Sequence, residues 1–183
     1  AALSGNTHLP NAADYDSLQA ALDAHPGQII FVPQGRHELS EALRLTTDNS
    51  GLVGYGLIVQ RNKDAAILDI HGARGVRIRD LILTRAEEAR ECNASGITMR
   101  DCRDLHIENI RLIDNRSQRP GIEIRTSVDC RITGVEIRNY KRLAVDDRTA
   151  AGESLHGYAF KCIDGTGIMV RHSQQIALLN NRI

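Results

Sequence analysis

Between residues 138 and 166 the chain gathers side chains of the kinds that move protons. His156, Lys161 and the tyrosines Tyr140 and Tyr158 are candidate bases, Lys141, Arg142 and Arg148 are cations that offset negative charge, and Asp146 and Asp147 are adjacent carboxylates. Such a set provides a proton acceptor and charge neutralisation together. Asp146 and Asp147 also supply part of a Ca²⁺ site, although Ca²⁺ takes 6 to 8 oxygens and two carboxylates need carbonyls, water or a ligand to complete it. A second set is defined by spacing. His71, Arg100, Arg125 and Arg171 each follow one residue after Ile70, Met99, Ile124 and Val170, and Glu123 stands one residue before Ile124. Arginines repeated at one position suit carboxylates or sulfates, because the guanidinium offers a planar, bidentate fork. Each set also has a plain reading, as solvated charge on a surface loop and on a wall that also exposes Arg77, His106, Arg111, Arg131 and Arg182.

The spacing belongs to a repeat. Counted from Ile70, Met99, Ile124 and Val170, apolar residues are called for two positions before and then 6, 8, 11 and 13 positions after, and only Asn181 departs from the rule. In a chain that is 42% hydrophobic, agreement at nearly every slot is not chance, and self-similarity at this period marks a solenoid. The apolar residues fall in pairs two apart, which is strand alternation, so each repeat predicts three short strands. The second and third strands are joined by two-residue corners, Arg79-Asp80, Glu108-Asn109, Thr133-Gly134 and Leu179-Asn180, whose second member tolerates a left-handed backbone. These features predict an all-β fold, a parallel β-helix. Inward positions such as Ile97 and Met99 leave Asp69, Thr98, Glu123 and Met169 as one outward row and His71, Arg100, Arg125 and Arg171 as the next. The interval from Ile124 to Val170 is nearly double its predecessor. The excess reads as a long loop rather than a degenerate coil with Leu143-Ala144-Val145 as a strand, because no second apolar pair follows.

Upstream, Leu18, Ala21 and Leu22 recur at helical spacing behind Asp16 and Ser17 as caps, and His25-Pro26-Gly27 ends the helix. Ile29 to Val32 predicts a strand, and 29–66 reads as one irregular coil ahead of the regular coils of 67–183. The whole chain, 1–183, reads as a single domain with an N-terminal segment and helix in 1–28. Lys plus Arg equals Asp plus Glu at 23 each, so bulk charge draws the protein to neither nucleic acid nor membrane. Aromatic content of 3% with no Trp argues against a ring-stacking platform for single-stranded nucleic acid and against an aromatic sugar-binding face. The start shows no basic-then-apolar signal, and no apolar run is long enough to span a bilayer. Cys130 occupies a core slot, Cys92 and Cys162 fall in expected loops where they are free to pair, and no cysteine spacing suits zinc. The fourth repeat stops at Asn180-Asn181-Arg182-Ile183, inside its third strand. Open strand edges need covering, so further coils of the same protein, or another chain, are expected at this end.

The chain resembles the right-handed parallel β-helix proteins of the pectate lyase superfamily. Asp16 to Leu22 looks like the capping helix of that group, Ile30-Phe31-Val32-Pro33-Gln34-Gly35-Arg36 looks like its opening strand motif with His37 in place of an aromatic, and Asp80, Asn109 and Asn180 look like its asparagine ladder with Gly134 as a gap. The resemblance implies a groove along the first strand of each coil that binds an acidic polysaccharide, with His71, Arg100, Glu123, Arg125 and Arg171 as substrate-binding residues. It also implies a carbohydrate-active enzyme, a β-eliminating lyase ahead of a glycoside hydrolase or a non-catalytic adhesion module; the catalytic candidates, Lys161, His156, Asp146 and Asp147, come from the residue types of the insertion and not from a family motif. Ca²⁺ is the one cofactor left open, no other metal site is read, and a secreted, periplasmic or extracellular setting follows because polymeric glycans lie outside cells.

Overall fold

Alternating apolar residues bury one face of a strand, and a chain that repeats such strands buries them by stacking one coil on the next. The computed structural model describes residues 8–140 and 167–183. A single α-helix, α1 (Leu18–Ala24), precedes the coils; the Ser17 side chain accepts from the Ala20 amide, and Leu18, Ala21 and Leu22 face the core. The chain then winds through β1 (Ile29–Val32), β2 (Arg36–Leu39) and β3 (Leu43–Leu45), and again through β4 (Gly51–Gly54), β5 (Leu57–Gln60) and β6 (Leu68–His71). The next turn is β7 (Arg77–Arg79), β8 (Ile82–Arg85), β9 (Glu91–Cys92) and β10 (Ile97–Arg100), followed by β11 (His106–Glu108), β12 (Arg111–Ile113), β13 (Arg116–Ser117) and β14 (Ile122–Arg125). β15 (Arg131–Thr133) and β16 (Glu136–Arg138) lead to the insertion, and β17 (Ile168–Arg171) and β18 (Ala177–Leu179) follow it.

Every pairing among these strands is parallel. Sheet I is β3-β6-β10-β14-β17, sheet II is β1-β4-β7-β11-β15-β18, and sheet III is β2-β5-β8-β12-β16, with β9 and β13 paired as a small fourth face. The fold is therefore a parallel β-helix. The stretch 29–66, which reads as one irregular coil in sequence, contributes two successive strands to sheet II, β1 and β4, in register from Ile29↔Gly51 to Val32↔Gly54. The repeat fails to register there because the step from Leu45 to Leu52 is one residue shorter than its counterpart from Ile70 to Ile78, and Gly56 stands where the next coil has Leu81. At Gly54 (φ +152°) an added Cβ would stand 2.0 Å from the Val32 carbonyl oxygen.

Columns of one residue per coil form the core. Ile70, Met99 and Ile124 are fully buried beneath sheet I, and Leu52, Ile78, Ile107 and Ile132 beneath sheet II. Each such side chain contributes about 1.5–3 kcal/mol by leaving water. On the last coil the same columns are open, with Val170 39%, Leu178 44% and Ile183 58% exposed. Asn181, the exception to the apolar rule, earns its place through the backbone of the preceding coil, accepting from the Val135 amide at 2.9 Å and donating to the Ile132 carbonyl at 3.0 Å.

All four predicted corners adopt the left-handed conformation, with φ of 63° at Asp80, 52° at Asn109, 62° at Gly134 and 53° at Asn180. The Asn109 side chain donates to Asp80 across the coils at 2.7 Å. The turn from sheet I to sheet II carries two more such columns that the apolar rule does not reveal: Gly72, Asp101, Thr126 and His172, then Gly75, Asp104, Asp129 and Gln175. Cys92 is not in a loop. It lies on β9, 7% exposed, with its Sγ toward Ala94 O and Asn115 Oδ1, because the fourth face is short enough to be mistaken for a loop. Cys162 lies outside the described residues. Cys130 fills its core slot at 1% exposure.

Candidate functional site

Parallel pairing without offset turns sequence positions into rows. In sheet I, Arg44, Asp69, Thr98, Glu123 and Met169 stand side by side, as do His71, Arg100, Arg125 and Arg171. Both outward rows inferred from the repeat are thus formed, on rungs about 4.8 Å apart. His71, Arg100 and Arg171 are exposed and Arg125 is half-buried.

The two rows are linked by charge. Arg125 grips the Glu123 carboxylate through both Nε and Nη2 at 2.5 Å, and the Ser95 hydroxyl donates to the other carboxylate oxygen at 3.4 Å. Glu123 retains only 11% of its side-chain exposure. One rung away, the Thr98 hydroxyl donates to Asp69 at 2.5 Å, and Arg100 Nη2 lies 3.7 Å from the same oxygen. His71 faces Asp101 at 3.3 Å. Arg171 and Arg119 have no carboxylate partner among the described residues.

Asp69, Thr98, Glu123, Arg100 and Arg119 line one cleft of about 280 Å³, whose wall is made by the loops before β6 and β10 through Asp64, Asn93 and Ser95. Ala42 also belongs to a neighbouring hollow of about 520 Å³ between α1 and β3. There Gln19 brackets Arg44, accepting from its amide at 2.9 Å and donating to its carbonyl at 3.3 Å. The two hollows, meeting at Ala42, follow sheet I from the helix as far as β14. Two carboxylates and several guanidiniums on one face can bind an acidic ligand and exchange protons with it.

Lys161, His156, Asp146 and Asp147 lie outside the described residues. Among the described residues no three His, Cys, Asp or Glu side chains gather to hold a metal ion. The structure brings Asp69, already in the outward row, into the cleft beside Glu123 and adds Arg119. Asp69 was legible as a member of the Glu123 row. Arg119 lies in a loop ahead of Gly121-Ile122, where the apolar repeat carries no information, although Ser95-Gly96-Ile97, Pro120-Gly121-Ile122 and Thr166-Gly167-Ile168 share a Gly-Ile step that marks where the chain enters sheet I.

No family model matches the chain, and no curated protein matches it. Among solved structures, the fold is similar to that of a "putative glycosyl hydrolase" from Parabacteroides merdae ATCC 43184, with a TM-score of 0.50 at 14% identity over 94% of this chain and 65% of that one. At this identity the likeness is one of fold. The chain spans about two thirds of the length of that structure, and the two share a solenoid of stacked parallel coils.

Proposed function

We propose that the protein is a carbohydrate-active enzyme of the pectate lyase superfamily that holds an acidic polysaccharide along the outer face of sheet I. Arg100, Arg125, Arg171 and His71 would contact its acidic groups. The observation that carries this reading is the sharing of one cleft by Asp69 and Glu123, with guanidiniums on the adjoining row. Hydrolysis is the reaction the described residues support. Thr98 separates the two carboxylates, which puts their strands about 9–10 Å apart, near the upper end of the spacing that admits a water beside a glycosidic bond. Glu123, clamped by Arg125, suits the base that activates this water. Asp69, the other carboxyl of the cleft, would be the group that protonates the leaving oxygen. The protein whose fold resembles this one carries a glycosyl hydrolase name, which agrees with the reading.

β-Elimination is the second reading, favoured by the arginine row together with Lys161, His156, Asp146 and Asp147 in the insertion, where Ca²⁺ or a cation would neutralise a uronate carboxylate. Either reaction would suit a secreted, periplasmic or extracellular setting, where polymeric glycans lie. The test is incubation of the protein with pectate, alginate and glycosaminoglycans, with and without Ca²⁺, following new reducing ends and ultraviolet absorbance of unsaturated sugars. Reducing ends without absorbance mean hydrolysis, and Asp69→Asn or Glu123→Gln should then lower the rate by about 10²–10⁴. Absorbance means elimination. Binding without product identifies an adhesion module, and neither binding nor product refutes the proposal.

A further inference from the structure

Beneath the cleft wall lies a guanidinium that makes no hydrogen bond to a carboxylate among the described residues. Arg85, the last residue of β8, is 2% exposed. Its Nε donates to Asn115 Oδ1 at 2.7 Å, Nη1 to the Asn62 carbonyl at 2.9 Å, and Nη2 to the Ala65 carbonyl at 2.9 Å, with the Ser95 and Ala94 carbonyls at 3.4 and 3.5 Å. Burial holds its pKa below the ordinary arginine range, a pull opposed by Cys92 and Asp64. A buried ion is costly unless its donors find acceptors, and here the Asn115 side chain and the carbonyls of two consecutive loops accept from it.

Those loops form the wall of the cleft. The first, 62–66, carries Asp64; the second, 93–95, carries Asn93 and Ser95. They are tied to each other by Asn93, whose amide donates to the Lys63 carbonyl at 2.9 Å and whose side chain donates to Asp64 at 2.5 Å. Ser95 in turn donates to Glu123. One rung earlier Gln60 stands in register with Arg85 and, fully buried, donates to the Glu41 and Ala66 carbonyls at 3.1 and 2.8 Å. Gln60 thus joins loop 62–66 to the loop that carries Glu41. Arg85 has five N–H donors in a planar fork and spans loops 62–66 and 93–95.

We propose that Arg85 is a positioning residue of the sheet I site: by gathering the carbonyls of loops 62–66 and 93–95 from beneath, it sets the cleft wall and, through Ser95, the carboxylate of Glu123. The inference rests on the reading of Glu123 as a reacting group. Lysine has three donors at a compact centre, and glutamine has two, so neither reproduces the arrangement, while methionine leaves inward carbonyls without donors.

Arg85→Lys, Arg85→Gln and Arg85→Met in the full chain test this by two measurements. Hydrogen exchange should quicken about tenfold or more at 62–66 and 93–96 in Arg85→Gln and Arg85→Met, less in Arg85→Lys, while β10 and β14 keep their protection. On the substrate found for the wild type, kcat should fall about ten- to a hundredfold with KM nearly unchanged, because the arginine row is untouched, and Arg85→Lys should recover part of it. Ser95→Ala, which leaves the arginine and its loops in place, should lower kcat without the exchange change. Unchanged exchange in those loops refutes the proposal, as does a normal kcat in Ser95→Ala and Arg85→Gln. A wild type that turns over no glycan refutes the catalytic half together with the proposed function, and exchange still decides whether Arg85 sets the wall. If no Arg85 variant folds, Ser95→Ala alone decides the link to Glu123.

Discussion

Filling the gap in the corner ladder should stabilise the protein, and the choice of residue decides the sign. Gly134 is exposed, has φ +62°, and an added Cβ would find its nearest neighbours, the Asn109 amide nitrogen and Cα, at 3.9 and 4.0 Å, which is ordinary contact. Replacing glycine where the backbone tolerates it gains about 0.4–1 kcal/mol by restricting the unfolded chain. Asparagine accepts the left-handed conformation at little cost, whereas alanine loses about 1–2 kcal/mol there. In Gly134→Asn the new side chain would donate to Asn109 Oδ1 as Asn109 does to Asp80, adding a hydrogen bond worth about 0.5–1.5 kcal/mol at most in so exposed a place. The net expectation is a gain of about 0.5–1.5 kcal/mol for Gly134→Asn and a loss of about 0.5–1 kcal/mol for Gly134→Ala. For a chain of this size each kcal/mol moves the melting temperature by about 2–4 °C. Calorimetry and urea unfolding would measure both. Equal stability of the two variants, or destabilisation by asparagine, would refute the reasoning that conformation and not side-chain loss governs the corner.

Other perturbations follow from the same columns. Gly121→Ala would set a Cβ 2.9 Å from the Gly167 carbonyl oxygen, with Ile137 and Leu112 at 3.3 Å; the strain should cost about 1–3 kcal/mol, read as a lower urea midpoint. Asn181→Leu matches the apolar rule yet strips partners from Val135 N and Ile132 O, so it should destabilise by about 1–3 kcal/mol rather than stabilise, as melting would record. Burial, then Arg77, holds the His106 pKa below its ordinary value, with Asp104 opposing. The folded chain therefore binds fewer protons than the unfolded chain as pH falls through about 6.5, and stability is lost on that descent. His106→Gln should flatten this part of the stability profile between about pH 7 and 5, and an unchanged slope would show that other groups cause it.

What the sequence made legible is what recurs once per coil. Ile97 and Met99 must enter the core, so Thr98 and Arg100 must leave it, and with parallel strands in register this is enough to place Asp69 beside Thr98 and Arg125 beside Arg171. The corners were legible for the same reason, since a left-handed backbone selects Asp, Asn or Gly at a fixed place. Asn181 was visible only as a fault, because an amide that serves two backbone groups of another coil has no signature in its own.

The cleft wall is of a third kind. Loops between sheets III and I vary in length from coil to coil, so their residues hold no common phase; alternation from Leu83 turns Arg85 inward, as it does Gln60 one coil earlier, but it names no partner for the charge. Its place in the interior depends on carbonyls contributed by residues twenty or so positions away on one side and ten on the other, an arrangement that exists only after the coils have stacked. On the proposed function, the regular columns would fix where a glycan lies, while the irregular loops and the buried guanidinium beneath them would fix which carboxylate oxygen meets it. A solenoid can change its chemistry through such loops without altering a single core column, so a fold recognised from its repeat is compatible with hydrolysis, elimination or binding alone. The distinction should lie in residues such as Asp69, Glu123 and Arg85 rather than in Ile70 or Met99.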